Sequence, residues 1–395
     1  MKTRWLFLAF TLGLMTTLAL AQTPDLHHIY ASTPIQVAKI PFTPNTPTGT
    51  LPLEFKAAYG FNRIENLGAG QTIALVDAYD DPNIASDLAF YASYFHLTPC
   101  NFTKAKIGNP AEGQGWDLEE SLDVEQACAL APQANIVLVE ANSNSFSDLL
   151  AAVQAAYTQY HATVVSMSWG GGEFNGENQS DSYFCNITNE DGKPVTFFAS
   201  SGDGGHGVIY PSASPCVIGV GGTTLALESA APLSNPMKLN YGSENGWRDS
   251  GGGVSAYETQ MSWQNPACSA FSTANRCVPD IASDAVNIPV YDTYSYSGWV
   301  PVDGTSISSP DWASFMTLVN SGRAAAGKAL LTEAAQDLYT LFYSGSYTTD
   351  FHDIVTGTNG SCGAQCTAGT GYDLVTGIGT YQANNLYAPL VADPN

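Results

Sequence analysis

From Gln71 onward the chain alternates short β-branched runs with amphipathic stretches, and this rhythm limits the fold more than any other feature. The pattern predicts strand 72–76, a helix over 82–95 with Asp81 as N-cap, strand 104–107 and a helix over 118–130. It continues with strand 135–139, helix 146–160, strand 163–168 and strand 195–200. Strands joined through a helix return in the same direction, so the expected fold is α/β: one large domain with a mostly parallel sheet flanked by helices. A helix pair over 309–324 and 332–343 and a Gly-rich C-terminal loop complete it, and no internal repeat is visible.

Composition narrows the functional classes. Asp and Glu number 36 against 13 Lys and Arg, a net charge of −23, while charged residues are 12% and apolar residues 44%. The apolar share excludes a disordered acidic tail, and the lack of any Lys/Arg run excludes nucleic acid and anionic membranes as partners. Residues 1–21 read as a signal peptide: basic Lys2 and Arg4, an apolar stretch to about Leu18, then Ala19-Leu20-Ala21. The chain is therefore expected to be secreted and extracellular. Its eight cysteines then favour disulfides, with Cys268–Cys277 and Cys362–Cys366 suggested by proximity and the other four left open. Residues 22–50, rich in Thr and Pro, show no usable periodicity and read as an extended lead-in.

Four positions carry candidate chemistry. Ser306, in Asp303-Gly304-Thr305-Ser306-Ile307-Ser308-Ser309-Pro310, precedes an apolar-periodic stretch and so stands at a helix entrance. Unpaired N–H groups and the helix dipole there favour an alkoxide-like nucleophile, although a plain helix cap reads the same way. A serine nucleophile needs a base, yet none of the six histidines (27, 28, 96, 161, 206, 352) stands in a context that suggests one. Glu119 and Asp123, at i and i+4 of the predicted 118–130 helix, share a face about 5–6 Å apart at Cβ; a solvated acidic face is the alternative. Asp203 follows strand 195–200, at the sheet edge where ligands bind, and if protonated it could donate to an oxyanion; alone it reads as an Asp-Gly turn.

In chain order Glu119, Asp123, Asp203 and Ser306 resemble the sedolisins, the serine-carboxyl peptidases that include the kumamolisin-like enzymes. Leu53 to Phe61, the Ser-Leu-Asp at 121–123, Ser201-Gly202-Asp203 and Gly-Thr-Ser-x-Ser-x-Pro all match family patterns, from about Leu51 to the C-terminus. The resemblance implies a subtilisin-like fold and acid-active peptide hydrolysis. Ser306 would be the nucleophile, Glu119 the general base and then acid, Asp123 its orienting partner and Asp203 the oxyanion acid. It further implies substrate-binding edges at Ser168-Trp169-Gly170 and Ser250-Gly251-Gly252. One structural calcium ion is implied at Asp353 and Asp373, with carbonyls of Ile354, Gly369 and Gly371. The expected organisation is a signal peptide (1–21), a lead-in without a full prodomain (22–50) and a peptidase domain (51–395). The expected partners are peptide or protein substrates, and the expected state is a monomer. Two departures stand out: Asp303 where the family usually has Gly, and Asp77, read as a structural turn residue. A neutral-pH subtilisin-type protease and an inactive peptide-binding homologue are the alternatives.

Overall fold

The computed structural model describes residues 23–33, 35–228 and 240–394; the expected signal peptide lies outside them. Six parallel strands run in the spatial order Asn101–Lys106, Asn135–Ala141, Thr72–Ala78, Val164–Met167, Thr196–Ser200 and Ile218–Glu228. The last pairs on antiparallel with Asn240–Gly246 and parallel with Ile281–Asp284. The crossover arrangement read from the sequence is thus the one observed.

Alternation along Thr72–Ala78 shows how the sheet divides the core. Ile73 and Leu75 join one buried cluster with residues of the helices Asp117–Leu130 and Thr305–Ala325. Ala74, Val76 and Ala78 join the other, against the helix Phe146–Thr158. A strand covered on both faces must be apolar at nearly every position, as this one is from Ile73 to Ala78 except at Asp77. Two buried tryptophans meet their polar requirement on the backbone: the Trp169 indole N–H donates to the Val76 carbonyl at 2.7 Å, and that of Trp312 to Ala282 at 2.7 Å.

Several boundaries differ from the sequence reading for local reasons. The helix expected over 82–95 spans Ile84–Tyr94 with Asn83 as its N-cap; Asp81 instead accepts the Asn83 N–H at 2.8 Å and organises the turn before it. The helix expected from 309 begins at Thr305 and carries Pro310 inside it. Pro310 has no N–H, so the Ser306 carbonyl four residues back receives no helical bond from it. The lead-in is not a loose extension: Gln36–Val37 forms a strand antiparallel to Gly298–Asp303.

All eight cysteines are paired. Cys268–Cys277 and Cys362–Cys366 form as expected, and the remaining pairs are Cys100–Cys128 and Cys185–Cys216. Cys100–Cys128 ties the start of a sheet strand to the helix Asp117–Leu130, closing a loop of 28 residues; cross-links of this size stabilise by about 2–4 kcal/mol through loss of unfolded-chain entropy. Among the described residues no helix is long and apolar enough to cross a membrane.

Candidate active site

The helix Asp117–Leu130 is buried along its whole length, Glu119 and Asp123 being 0% exposed, which rules out the solvated acidic face. Across the interface with the helix Thr305–Ala325, the Ser306 hydroxyl donates to Glu119 Oε2 at 3.0 Å. Ser168 Oγ lies 2.8 Å from Asp123 Oδ1 and 3.2 Å from the Ser306 carbonyl, the acceptor that Pro310 leaves without its helical donor. One hydroxyl proton cannot serve both. Both contacts are satisfied when Asp123 is protonated and donates to Ser168 Oγ while Ser168 donates to Ser306.

Electrostatics agree with that assignment. Burial pushes the Asp123 carboxyl well above the usual carboxylate range, with Asp77 adding to the shift and the Ser168 hydrogen bond opposing it. Burial likewise raises Glu119, reinforced by Asp123 and then Asp77, against the hydrogen bond from Ser306. Glu119 Oε1, Asp123 Oδ2 and both oxygens of Asp77 are buried without a hydrogen-bond partner. Acceptor-only carboxylates crowded in this way are tolerable only when protons are shared among them.

Asp77 corrects the sequence reading. It lies inside the strand Thr72–Ala78, is 0% exposed, and by alternation with Ile73 and Leu75 faces the two site helices. Burial and Glu140 push its carboxyl up to about 8. The visible signal was an acid within an otherwise apolar run, which costs stability unless it has a purpose or a proton.

Asp203 follows the strand Thr196–Ser200, and its Oδ1 accepts both the Thr305 N–H at 2.8 Å and the Thr305 hydroxyl at 2.9 Å. Oδ2 is buried without a partner. Burial raises this carboxyl well above its ordinary value despite the Thr305 contacts, with Asp249 and Asp303 adding to the shift. Because Oδ1 already takes two donors, the neutral acid carries its proton on Oδ2 and can donate from there. Thr305, which also accepts the Gly202 N–H at 3.1 Å, is a positioning residue that the sequence reading missed.

The segments read as substrate-binding divide in the structure. Gly170 and Gly171 line a cleft of about 400 Å³ together with Gly202, Asp203 and Gly251. Ser168 serves Asp123, and the Trp169 side chain is core. Gly251 packs so closely on Ser201 that an added Cβ would meet its carbonyl oxygen at 1.9 Å. The Gly251 and Gly252 N–H groups are committed to the Gly202 and Gly207 carbonyls, and the Ser250 hydroxyl donates to Val375 at 3.1 Å. Of that second segment, Gly251 alone lines the cleft.

In the C-terminal loop, Asp353 accepts the Gly371 N–H through both oxygens at 3.0 and 3.2 Å. Asp373 accepts the Gly369, Val375 and Thr376 N–H groups, and burial raises it to about 6 against those bonds. Ile354 is buried beside them. His206, Cys362 and Cys366 also lie close together, but the two sulfurs are joined in a disulfide and offer no thiolate to a metal.

A parallel α/β sheet that brings a serine into a hydrogen bond with a buried carboxyl, with a second raised carboxyl beside the same helix start, defines a hydrolase-like site with no histidine at the serine hydroxyl. The subtilase family profile matches residues 117–347, and the chain belongs to that family. It is a sedolisin homologue: it is 28% identical to sedolisin of Pseudomonas sp. (strain 101) over 371 residues, 87% of this chain and 61% of that one. It is 30% identical to kumamolisin of Bacillus sp. (strain MN-32) over 363 residues, 85% of this chain and 62% of the relative. The chain thus spans about three fifths of the length of these curated relatives. The solved structure of Pseudomonas sedolisin complexed with two molecules of pseudo-iodotyrostatin matches with a TM-score of 0.75 at 26% identity, over 89% of this chain and 100% of that one.

Proposed function

We propose that this chain is a secreted, acid-active serine-carboxyl peptidase that hydrolyses peptide or protein substrates through an acyl-enzyme. The observation that carries the reading is the 3.0 Å hydrogen bond from Ser306 Oγ to Glu119 Oε2 inside a buried group of carboxyls. Ser306 Oγ attacks the scissile carbonyl as Glu119, ionised in the reactive form, takes its proton. Asp203, protonated on Oδ2, donates to the oxyanion; Glu119 then returns its proton to the leaving amine. Water repeats the sequence on the acyl-serine. Asp123 holds a proton towards Ser168 and keeps Glu119 oriented. At pH 4 a histidine with a pKa of about 6.5 is only ~0.3% neutral, whereas a carboxylate remains a usable base. Hydrolysis of a peptide library from pH 2 to 8 tests the reading, with Ser306→Ala as control. Turnover should be highest in acid and fall as pH rises and Asp203 loses its proton; maximal turnover at pH 8 would overturn it.

The C-terminal loop suits one structural calcium ion. Asp373 is buried at 2% exposure, no Lys, Arg or His among the described residues forms an ion pair with it or with Asp353, and both carboxylates turn onto the stretch 369–376. A buried acid without a cation is the environment that an oxygen-preferring ion compensates. Asp353 and Asp373, with carbonyls of Ile354, Gly369 and Gly371, would hold the ion, which would supply positive charge to the loop and take no part in the reaction.

A further inference from the structure

The cleft of about 400 Å³ is walled largely by backbone: eight of the residues that line it are glycines. Its two sides are the edge at 170–172 and the loop 201–205. Ser32 pairs antiparallel with Gly170, giving its N–H to the Gly170 carbonyl at 2.9 Å and accepting the Gly170 N–H at 3.2 Å, so this edge takes an extended chain. Consider a substrate strand on the same edge, its scissile carbonyl carbon at Ser306 and the carbonyl oxygen towards Asp203 Oδ2. The residue before the cleaved bond then lies across the gap between Gly170 and Gly202. With glycine on either side, that gap would be a slot wide enough for a flat ring, but Ile209 fills it. Its Cδ1 lies 2.5 Å from where a Cβ on Gly170 would stand and 3.2 Å from where one on Gly202 would stand, so a single methyl group rests on both walls.

The surroundings fix Ile209 in that place. It belongs to the short strand Ile209–Tyr210 and pairs with Gly172, and its carbonyl accepts the Ser212 hydroxyl at 2.8 Å and the Ala213 N–H at 3.1 Å. Tyr210 is 0% exposed, its ring packed against Phe146 and Phe174. β-Branching further restricts how the Ile209 side chain can turn. Asp203 and His206 are the only ionisable side chains among the described residues that line the cleft, and Asp203 is engaged by Thr305, so a charged group finds no partner at the floor. We propose that Ile209 is the specificity-determining residue of this cleft, a plug that limits the residue on the acyl side of the cleaved bond to small uncharged side chains: Gly, Ala or Ser. The selectivity rests on the peptidase reading above, whereas the plugged slot does not. A Phe or Tyr side chain, with about 150–250 Å² to bury, meets no depth here and stays in water. Apolar pockets that differ by a methyl group or two discriminate by about 10–200-fold.

The test compares the full chain with its Ile209→Val and Ile209→Ala variants, with melting to establish that each folds. Valine removes only the Cδ1 methyl that touches both walls, so it alters the slot with the least disturbance elsewhere. A peptide library at pH 4 gives kcat/KM for each residue on the acyl side of the cleaved bond. In the unaltered chain Ala should exceed Phe by at least about tenfold, and the Phe-to-Ala ratio should rise by about tenfold or more in Ile209→Ala and by less in Ile209→Val. In parallel, acetyl-tetrapeptide amides that end in Ala or in Phe are titrated into Ser306→Ala with and without Ile209→Ala, where no bond is broken, and the ratio of their affinities should move the same way. Turnover decides where it is seen, and binding where it is not. A preference for Phe in the unaltered chain, or a ratio that Ile209→Ala leaves unmoved, would overturn the plug. If the binding ratio moves as expected while no protein with Ser306 intact hydrolyses any peptide, the plug stands and the peptidase reading falls.

Discussion

At the scale of single residues, the site turns on who holds protons. Glu119→Gln keeps the shape of the side chain but cannot accept the Ser306 proton, so kcat should drop by about 10²-fold or more with no loss of melting temperature, measured on a peptide substrate at the pH optimum. Asp77 touches neither Ser306 nor Asp203, but it raises both Glu119 and Asp123. In Asp77→Asn that contribution disappears, so the Glu119 carboxyl should ionise at lower pH. The acid limb of the pH–rate profile should then shift downward, and an unchanged limb would show that Asp77 is electrostatically silent. Glu119, Asp123, Asp203 and Ser306 were all legible as types at spacings. Asp77 was not, because its role comes from a strand facing a helix some forty residues away in the chain.

Between elements, carboxyl groups fasten the cleft wall. Glu173, just after Gly171–Gly172, accepts from the Ser255 hydroxyl and from the Ala256 N–H at 3.1 Å, which ties that edge to the strand Gly253–Thr259. Behind it stand Glu177, raised by burial and by Glu173 and Glu258 to about 9, and Glu258, raised by burial and Asp181 to about 8. A group whose folded pKa lies above its unfolded value binds more protons in the native state, so stability is full below the unfolded value and is lost as pH rises through the folded one. For this cluster the window runs from about 4.5 to 9. Glu177→Gln and Glu258→Gln cannot ionise, so each should raise the melting midpoint by about 2 °C or more at pH 8 and change it little at pH 4. These groups are separated by more than eighty residues, and sequence patterns gave no hint that they meet.

For the whole molecule the same sign applies many times over. Burial also raises Asp292 and Glu140 to about 7 and Asp81 to about 6, while Asp80, held low by Lys104 and Lys106 against its own burial, runs the other way. With a net charge of −23, self-repulsion adds to the cost of ionisation. Melting with the active site blocked should therefore be highest in acid and decline steadily from about pH 4 to 8; a sharp drop between pH 6 and 4 would contradict this. The calcium site proposed above for the C-terminal loop would give the opposite local slope. Asp373, near 6, must ionise to bind, so a chelator should lower the midpoint more at pH 6 than at pH 3, and Asp373→Ala should reproduce the chelated state. A midpoint unmoved by both would remove calcium from the loop.

The sequence alone determined the parallel α/β architecture, because alternating β-branched and amphipathic stretches leave few other ways to bury both faces of a strand. It also determined the helix carrying Glu119 and Asp123 and the helix entrance at Ser306, which follow from local spacing, while proximity suggested the two short-range disulfides without fixing them. Tertiary structure decided what those groups became. The approach of the helices Asp117–Leu130 and Thr305–Ala325 set the Ser306–Glu119 hydrogen bond, and the missing N–H of Pro310 turned Ser168 towards the Ser306 carbonyl. Burial of Asp77 next to them made a strand residue part of the site's electrostatics. The lead-in, without any pattern of its own, took its extended course from Gly170 and the strand Gly298–Asp303. Such effects depend on which surfaces exclude water together, and distance along the chain carries no record of that.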